Sequence, residues 1–275
     1  MCQRSGFVVV ASSAHSAGRN LDHPDFYPFF KTAEQLNVSV CVHVGSGRPA
    51  AAAERFSNPF FVHATTHPFE QVIGVMCIVA GGILEWFPKL KVAFLEAGGG
   101  WVPYWMERLD EHYEYLQPEV PWLKMPPSEY IRKRDVYFSF EPDERTLPFV
   151  MEFIGDDRLL FASDYNHSDC KFPPTVEAVT QRGEILESTL AKLMGKKASR
   201  LYSLLLVNRR SSLCELLMQT DMSRKNSFLG RNFFRNPTGL SPRRSSKTIR
   251  VQALWWWKGN CGPNPWARYP HYPFY

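Results

Sequence analysis

Short apolar runs alternate with longer, helix-like segments along the first three quarters of this chain, and this alternation constrains the fold more than any other feature. The pattern is typical of parallel strands that are joined by helices. The predicted strands are Phe7–Ala11, Val38–Val44, Lys91–Leu95, Val136–Phe140 and Arg158–Ser163. The predicted helices are Asp25–Leu36, Pro68–Phe87, Val102–Tyr115, Arg145–Ile154 and Gly183–Leu204.

These strand–helix units predict an α/β fold and, within that class, a (β/α) barrel of the TIM type. No G-x-G-x-x-G sequence opens a predicted helix, which argues against a dinucleotide-binding sheet. A closed TIM barrel has eight strands, whereas this chain supplies about five and begins almost at once with a strand. We therefore predict a partial TIM-like barrel that corresponds to roughly the last five βα units, with the N-terminal units missing.

The charge pattern divides the chain near residue 204. The first 204 residues contain 20 Lys and Arg against 25 Asp and Glu, whereas residues 205–275 contain 12 against 2. We predict a barrel domain over residues 1–204 and a basic, disordered tail over residues 205–275. A tail that combines Arg with aromatic residues could instead bind nucleic acid or an acidic partner. Because no motif organises these residues, we favour a tail without a nucleic-acid partner.

The cysteines and the hydropathy pattern predict a cytoplasmic protein that does not enter a membrane. The six cysteines are widely spaced and form no C-x-x-C pair, which favours reduced thiols. The longest apolar stretch, Ile73 to Leu84, is interrupted by glycines and is too short to span a bilayer.

Polar residues follow three of the predicted strands. Asp164 comes after an apolar run, His43 lies near the end of the second strand, and Glu96 precedes Gly98-Gly99-Gly100. The carboxyl ends of barrel strands meet on one rim, where barrel enzymes place their active sites. Strand alternation puts Cys41 and His43 on the inward face and the neighbouring valines toward the outer helices. We expect His43, Glu96 and Asp164 to converge on this rim.

The converging residue types predict a metal site. A carboxylate at the end of an apolar strand needs a cation or several donors beside it. Carboxylates with imidazole suit Zn²⁺, or Mn²⁺ if carboxylates dominate. A metal there would activate water or polarise a carboxylate substrate, while a nearby carboxylate moves protons. For each residue a structural role stays open: Asp164 could cap a loop, His43 could be a core residue, and the glycines could make only a tight turn.

Roles for individual residues follow from these positions. We predict Asp164 and Glu96 as catalytic residues, and Gly98, Gly99 and His167 as residues that contact the substrate. His67 is a second-line candidate, and Glu141 and Asp143 add acid at the next rim position. A nucleophilic pair of Cys41 and His43 is not favoured, because no third group orients the histidine.

His43, the Glu96–Gly100 turn and the Ser163–Asp169 segment together resemble the amidohydrolase-related (amidohydrolase 2) family, which includes aminocarboxymuconate-semialdehyde decarboxylase-like enzymes. The resemblance extends from about Phe7 to Leu204 and includes His67–Gln71. It implies a metal-dependent TIM-like barrel that hydrolyses or decarboxylates a small carboxylate or amide. It also implies that His43 and Asp164 bind the metal and that Asp164 handles protons.

The sequence departs from the family pattern at two places. Many members carry a histidine where Glu96 or Ala97 falls, and Glu96 could partly replace it. Members also carry an H-x-H pair on the first strand, and no H-x-H occurs in these 275 residues. The alternative hypothesis is therefore a catalytically inactive barrel fragment whose basic tail binds nucleic acid or an acidic partner. An open barrel would expose sheet edges, which a homo-oligomer could cover.

Overall fold

Five parallel strands form the central sheet. The computed structural model describes residues 7–16, 18–43, 55–165, 167, 170 and 172–204. The sheet contains, in this spatial order, β1 (Val9–Ser12), β4 (Ser39–Val42), β5 (Val92–Phe94), β6 (Val136–Phe140) and β7 (Leu159–Phe161). A small antiparallel pair, β2 (His15–Ser16) and β3 (Arg19–Asn20), follows β1. Each sheet strand pairs with the next one along the chain, as in consecutive barrel units, so the predicted α/β fold of about five βα units is confirmed.

Helices connect these strands and bury their apolar faces. They are α1 (Tyr27–Gln35), α2 (Pro59–Val79), α3 (Ile83–Trp86), α4 (Val102–Leu116), α5 (Pro127–Lys133), α6 (Leu147–Ile154), α7 (Thr175–Thr180), α8 (Glu187–Ala191) and α9 (Lys197–Leu201). A 3₁₀ turn, Pro24–Phe26, precedes α1. Helices α5 and α7 have no counterpart among the predicted helices.

Two predicted helices are wrong in their bounds. The helix predicted over Pro68–Phe87 begins earlier, at Pro59, where Asn58 Oδ1 accepts a hydrogen bond from the Phe60 N–H at 2.9 Å. Pro68 therefore lies inside α2, although a proline there removes one helical hydrogen bond. The helix ends before Gly82, which has a φ of 82°. The helix predicted over Gly183–Leu204 is divided into α8 and α9 by a kink at Gly195, whose backbone angles (φ 156°, ψ −25°) are not helical.

The outer face of the sheet forms the main core with the helices. Val40 and Val42 of β4, Phe94 of β5 and Phe138 of β6 are buried there. The rings of Phe94 and Phe138 stack with their centroids 5.6 Å apart. Successive strand residues face opposite sides of a sheet, and the valines of β4 point toward the helices as predicted.

The inner face buries a separate, smaller cluster. Cys41, Ala93, Tyr137 and Leu160 pack there against Leu201 of α9. Burial raises the pKa of the Cys41 thiol to about 11, and a hydrogen bond with Tyr202 offsets only part of this rise. The prediction that Cys41 is an inward-facing packing residue is confirmed. Within the described residues, the cysteines Cys41, Cys77 and Cys170 are all free.

Helix α9 and the residues just after it contact the N-terminal ends of the strands. Ser39 Oγ donates a hydrogen bond to the Leu201 carbonyl oxygen, and Lys91 Nζ donates one to Ser203 Oγ at 2.7 Å. These contacts lie at the starts of β4 and β5, opposite the rim at which the predicted site residues gather.

The predicted tail, residues 205–275, lies outside the described residues, as do Asn166, Ser168 and Asp169 of the segment that follows β7. The tail's disorder and its alternative role in binding nucleic acid therefore stay predictions. Among the helices that the structure describes, none combines the length and the apolar character needed to cross a membrane.

Candidate active site

The carboxyl ends of β4, β5 and β7 bring the three predicted site residues to one rim. His43 follows β4 immediately, and Glu96 lies just beyond β5. Asp164 was expected at the tip of its strand, but β7 ends at Phe161 and Asp164 lies in the following loop with a φ of 52°. This left-handed backbone is one that aspartate tolerates better than most residues, and it turns the chain back toward Glu96.

Glu96 is the centre of the site, because three imidazoles surround its carboxylate. His43 Nε2 lies 2.8 Å from Glu96 Oε2, and His67 Nε2 lies 3.7 Å from the same oxygen. His167 Nδ1 lies 3.7 Å from Oε1. His67 reaches this position from inside α2, so a histidine expected only as a second-line candidate belongs to the cluster.

The charge of Glu96 is stabilised by these neighbours. Burial alone would raise the pKa of the Glu96 carboxyl, but the hydrogen bond with His43 and the charges of His43, His67 and His167 outweigh it. The pKa is therefore lowered, and Glu96 remains an anion at neutral pH.

The backbone of Glu96 is held in an uncommon conformation. Its φ is 68°, and its N–H donates a hydrogen bond to Ser139 Oγ of β6 at 2.9 Å. A positive φ costs free energy in a residue that has a side chain, so it persists only when its surroundings fix it. The buried Ser139 is one such restraint, and it was not among the predicted site residues.

The glycine turn after Glu96 is fastened by Glu144, from the loop between β6 and α6. Both carboxylate oxygens of Glu144 accept from the Gly99 N–H, at 3.1 and 3.0 Å. A methyl group on Gly100 would lie 2.9 Å from Glu144 Oε1 and 2.5 Å from Thr146 Oγ1. The glycines thus allow close approach of Glu144. The predicted substrate contacts of Gly98 and Gly99 stay predictions, and the Gly99 N–H already has an acceptor.

Asp164 and His167 form a second contact beside Glu96. His167 Nδ1 lies 2.9 Å from Asp164 Oδ1, and the His167 N–H donates to the Asp164 carbonyl oxygen at 3.0 Å. Their side chains are 42% and 55% exposed, against 22% for Glu96. The Asp164 carboxylate is therefore open to a small molecule, whereas Glu96 lies deeper.

Glu96, Asp164 and His167 each offer one donor atom, and these atoms lie within 4.8 Å of one another. This grouping could hold a divalent cation. His43 contacts one member of this group, Glu96. Glu141 and Asp143 lie exposed in the loop after β6.

A second buried residue that supports the site was also not predicted. Gln71 of α2 donates hydrogen bonds from Nε2 to the Val42 carbonyl oxygen at 3.1 Å and to the Leu95 carbonyl oxygen at 2.9 Å. Its side chain is fully buried. Gln71 lies in the His67–Gln71 segment that contributes to the family resemblance, but the sequence gives no signal for this role.

Comparison with known proteins agrees with this fold. Residues 2–204 match the family described as Amidohydrolase. A 2-amino-3-carboxymuconate-6-semialdehyde decarboxylase of Dictyostelium discoideum is 29% identical over 199 residues, which cover 70% of this chain and 52% of that protein. The chain spans about half the length of the curated relatives it matches.

Solved structures of decarboxylases share the architecture. The 5-carboxyvanillate decarboxylase of Sphingomonas paucimobilis aligns with a TM-score of 0.61 and 22% identity, covering 71% of this chain and 58% of its own. A dihydroxybenzoic acid decarboxylase of Polaromonas sp. JS666, with bound manganese and 2-nitroresorcinol, aligns with a TM-score of 0.57 and 21% identity, covering 74% and 63%. Identities this low carry the fold alone. The family match over residues 2–204 establishes that the chain belongs to the amidohydrolase 2 family.

Proposed function

We propose that this chain carries the metal-binding rim of a metal-dependent decarboxylase or hydrolase that acts on a small organic acid. The observation that carries the proposal is the grouping of Glu96, Asp164 and His167, whose donor atoms lie within 4.8 Å of one another at the carboxyl ends of the strands. The decarboxylases among the relatives support the same reaction class.

The residues present fit a divalent cation. Two carboxylates and one imidazole combine hard and borderline donors, which both Zn²⁺ and Mn²⁺ accept. Glu96 is kept anionic by its neighbours, and a deprotonated ligand is the form that binds a metal. His43, at 2.8 Å from Glu96, completes the proposed set from β4. Because the sequence has no H-x-H pair, every proposed ligand comes from residues 43 to 167.

The bound cation would supply Lewis acidity for polarising a carboxylate or for lowering the pKa of water. The chain's own residues would do the rest. Asp164, which is exposed and lies 2.9 Å from His167 Nδ1, would deliver the proton that replaces a leaving carboxyl group, or would accept the proton that a water loses.

Elemental analysis of untagged protein tests this proposal. We expect close to one equivalent of zinc or manganese per chain in the native protein, and loss of that metal in Asp164→Ala. Glu107→Ala, an exposed acid on α4, serves as the control and should keep the metal. If Asp164→Ala retains as much metal as the native chain, the assignment of Asp164 as a ligand fails.

Turnover is tested with two substrate panels. Aromatic and unsaturated carboxylates report decarboxylation through released CO₂, and amides report hydrolysis through released amine. Activity on the carboxylates that disappears in Asp164→Ala supports the decarboxylase. A metal-loaded chain that is inactive on both panels would contradict the proposed catalysis while leaving the metal site intact.

A further inference from the structure

Gln71 connects the two strand ends that deliver His43 and Glu96. Its Nε2 donates to the carbonyl oxygens of Val42 and Leu95, which are the residues immediately before His43 and Glu96. The Val42 carbonyl oxygen also accepts the Leu95 N–H at 3.0 Å. One buried amide therefore reinforces the last backbone hydrogen bond between β4 and β5, just where the two site side chains leave the sheet.

The orientation of the amide is fixed by chemistry. Both groups in front of it are carbonyl oxygens, which only accept hydrogen bonds, so the NH₂ group must face them. The two hydrogens of Nε2 match the two acceptors. Within the described residues, the buried Oε1 of Gln71 has no hydrogen-bond partner. Burying a polar atom in this way is unfavourable, so a residue that only filled space here would be better replaced by methionine or leucine.

Close packing of α2 brings this amide within reach of the strands. Gly74 lies almost one helical turn after Gln71 and faces the same side. A methyl group at Gly74 would lie 3.2 Å from Ala14 Cβ and 3.5 Å from Val42 Cγ1. The absence of a side chain at Gly74 thus allows the helix axis to approach β4 closely enough for Gln71 to reach both carbonyl groups.

We propose that Gln71 is a positioning residue for the metal-binding rim. By tying the Val42 and Leu95 carbonyl groups together, it sets the spacing of His43 and Glu96, which meet at 2.8 Å. Among the residues that the structure describes, its hydrogen bonds go to backbone carbonyl groups and not to the side chain of a proposed ligand. The expected effect of Gln71 on metal binding rests on the proposed function. Its effect on the spacing of His43 and Glu96 depends only on the fold.

The test compares Gln71→Met with Ser39→Ala. Gln71→Met keeps the length of the side chain and removes both donors. Ser39→Ala is the matched control, because it removes a buried hydrogen bond from a side chain to a carbonyl group at the opposite end of β4. Dissociation constants for Zn²⁺ and Mn²⁺ are measured by competition with a chromogenic chelator. Amide hydrogen exchange is measured at His43 and Glu96, and melting temperatures report any general loss of stability.

We expect metal binding to weaken about tenfold or more in Gln71→Met, a typical effect of losing a residue that orients metal ligands. Exchange at His43 and Glu96 should accelerate about tenfold in the same variant, and Ser39→Ala should change neither quantity. If Gln71→Met does not fold, Gln71→Asn takes its place, because an amide one methylene shorter cannot reach both carbonyl groups.

Each outcome decides the proposal. Equal losses in Gln71→Met and Ser39→Ala would reduce Gln71 to a general stabiliser, and unchanged binding and exchange in Gln71→Met would overturn its role. If the native chain binds no metal, the proposed function fails, and the exchange data alone then decide the positioning role. Accelerated exchange confined to Gln71→Met would still uphold it, and unchanged exchange would refute it.

Discussion

The His43 imidazole and the Glu96 carboxylate meet across the ends of neighbouring strands, with Nε2 2.8 Å from Oε2. Parallel strands β4 and β5 place these residues side by side, and the left-handed backbone of Glu96 directs its carboxylate toward the imidazole. Because this contact helps to lower the pKa of the Glu96 carboxyl, the protonation of Glu96 is linked to the stability of the fold.

Acid should weaken the fold through Glu96. Its pKa is lowered from an ordinary value of 4.5 in the folded state, so the group stabilises the fold above that value. This stabilisation is lost as the pH falls through the folded-state pKa. In urea titrations with a chelator present, from about pH 6 to about pH 3, the native chain should lose more stability than Glu96→Gln. Parallel pH profiles for the two proteins would contradict the linkage.

Removing the Glu144 carboxylate should destabilise the glycine turn. Glu144→Ala leaves the N–H of the buried Gly99 without its acceptor, and an unsatisfied buried donor costs about 1–3 kcal/mol. Glu144→Gln keeps one acceptor oxygen and should lose less. Urea unfolding at neutral pH measures both, with Glu152→Ala on the exposed side of α6 as a control. Equal stability of the Ala and Gln variants would argue against the contact.

Replacing His167 should impair metal binding without unfolding the protein. His167 is largely exposed and joins Glu96 and Asp164 in the donor group. We expect His167→Ala to weaken Zn²⁺ or Mn²⁺ binding by at least about tenfold, with a melting temperature near that of the native chain. His112→Ala on α4 is the control, because His112 contacts its own helix through the Arg108 carbonyl group. Comparable metal affinity in the two variants would remove His167 from the ligand set.

A side chain at Gly82 should cost more stability than one at Gly18. Both glycines have a positive φ, 82° and 77°, but a methyl group at Gly82 would lie 2.5 Å from Trp122 Cδ1, whereas Gly18 faces open space. Gly18→Ala should cost about 1–2 kcal/mol in backbone strain. Gly82→Ala also displaces Trp122, whose Nε1 donates to the Ala80 carbonyl oxygen at 2.7 Å, and losing this hydrogen bond should cost about 0.5–1.5 kcal/mol more. Urea unfolding checks the difference, and similar losses would contradict it.

Strand positions could be predicted because each strand is a short apolar run with polar residues at its carboxyl end. The start of α2 could not be found in the same way. Pro68 resembles a first-turn proline, yet the Asn58-Pro59 pair provides both the capping side chain and the proline that suit a helix start. Asn58-Pro59 and Pro68 are therefore two competing signals for the start of one helix. The packing of α2 on the sheet decides between them, and this packing cannot be read from the sequence.

Some residues of the candidate site could likewise be predicted from the sequence, and others could not. His43, Glu96 and Asp164 were predictable because strand ends converge in parallel sheets. Gln71 and Glu144 act through backbone groups that are distant in sequence, and no spacing rule links them to the residues they hold. Asp164 was misplaced by a short distance, because the left-handed turn after β7 depends on contacts with His167.

The free cysteines differ in their reactivity, and this difference allows a label to be placed beside the candidate site. Burial raises the pKa of Cys41 to about 11 and that of Cys77 to about 12, so at neutral pH neither thiol ionises enough to react quickly with an alkylating reagent. Cys170 is only partly buried, and its N–H donates to the His167 carbonyl oxygen at 3.3 Å. In a chain whose Cys2, Cys214 and Cys261 are replaced by serine, a thiol-reactive fluorophore should therefore attach selectively to Cys170. Because Cys170 follows Asp164 and His167 in the loop after β7, the emission of the fluorophore should change when a metal or a substrate binds at the site.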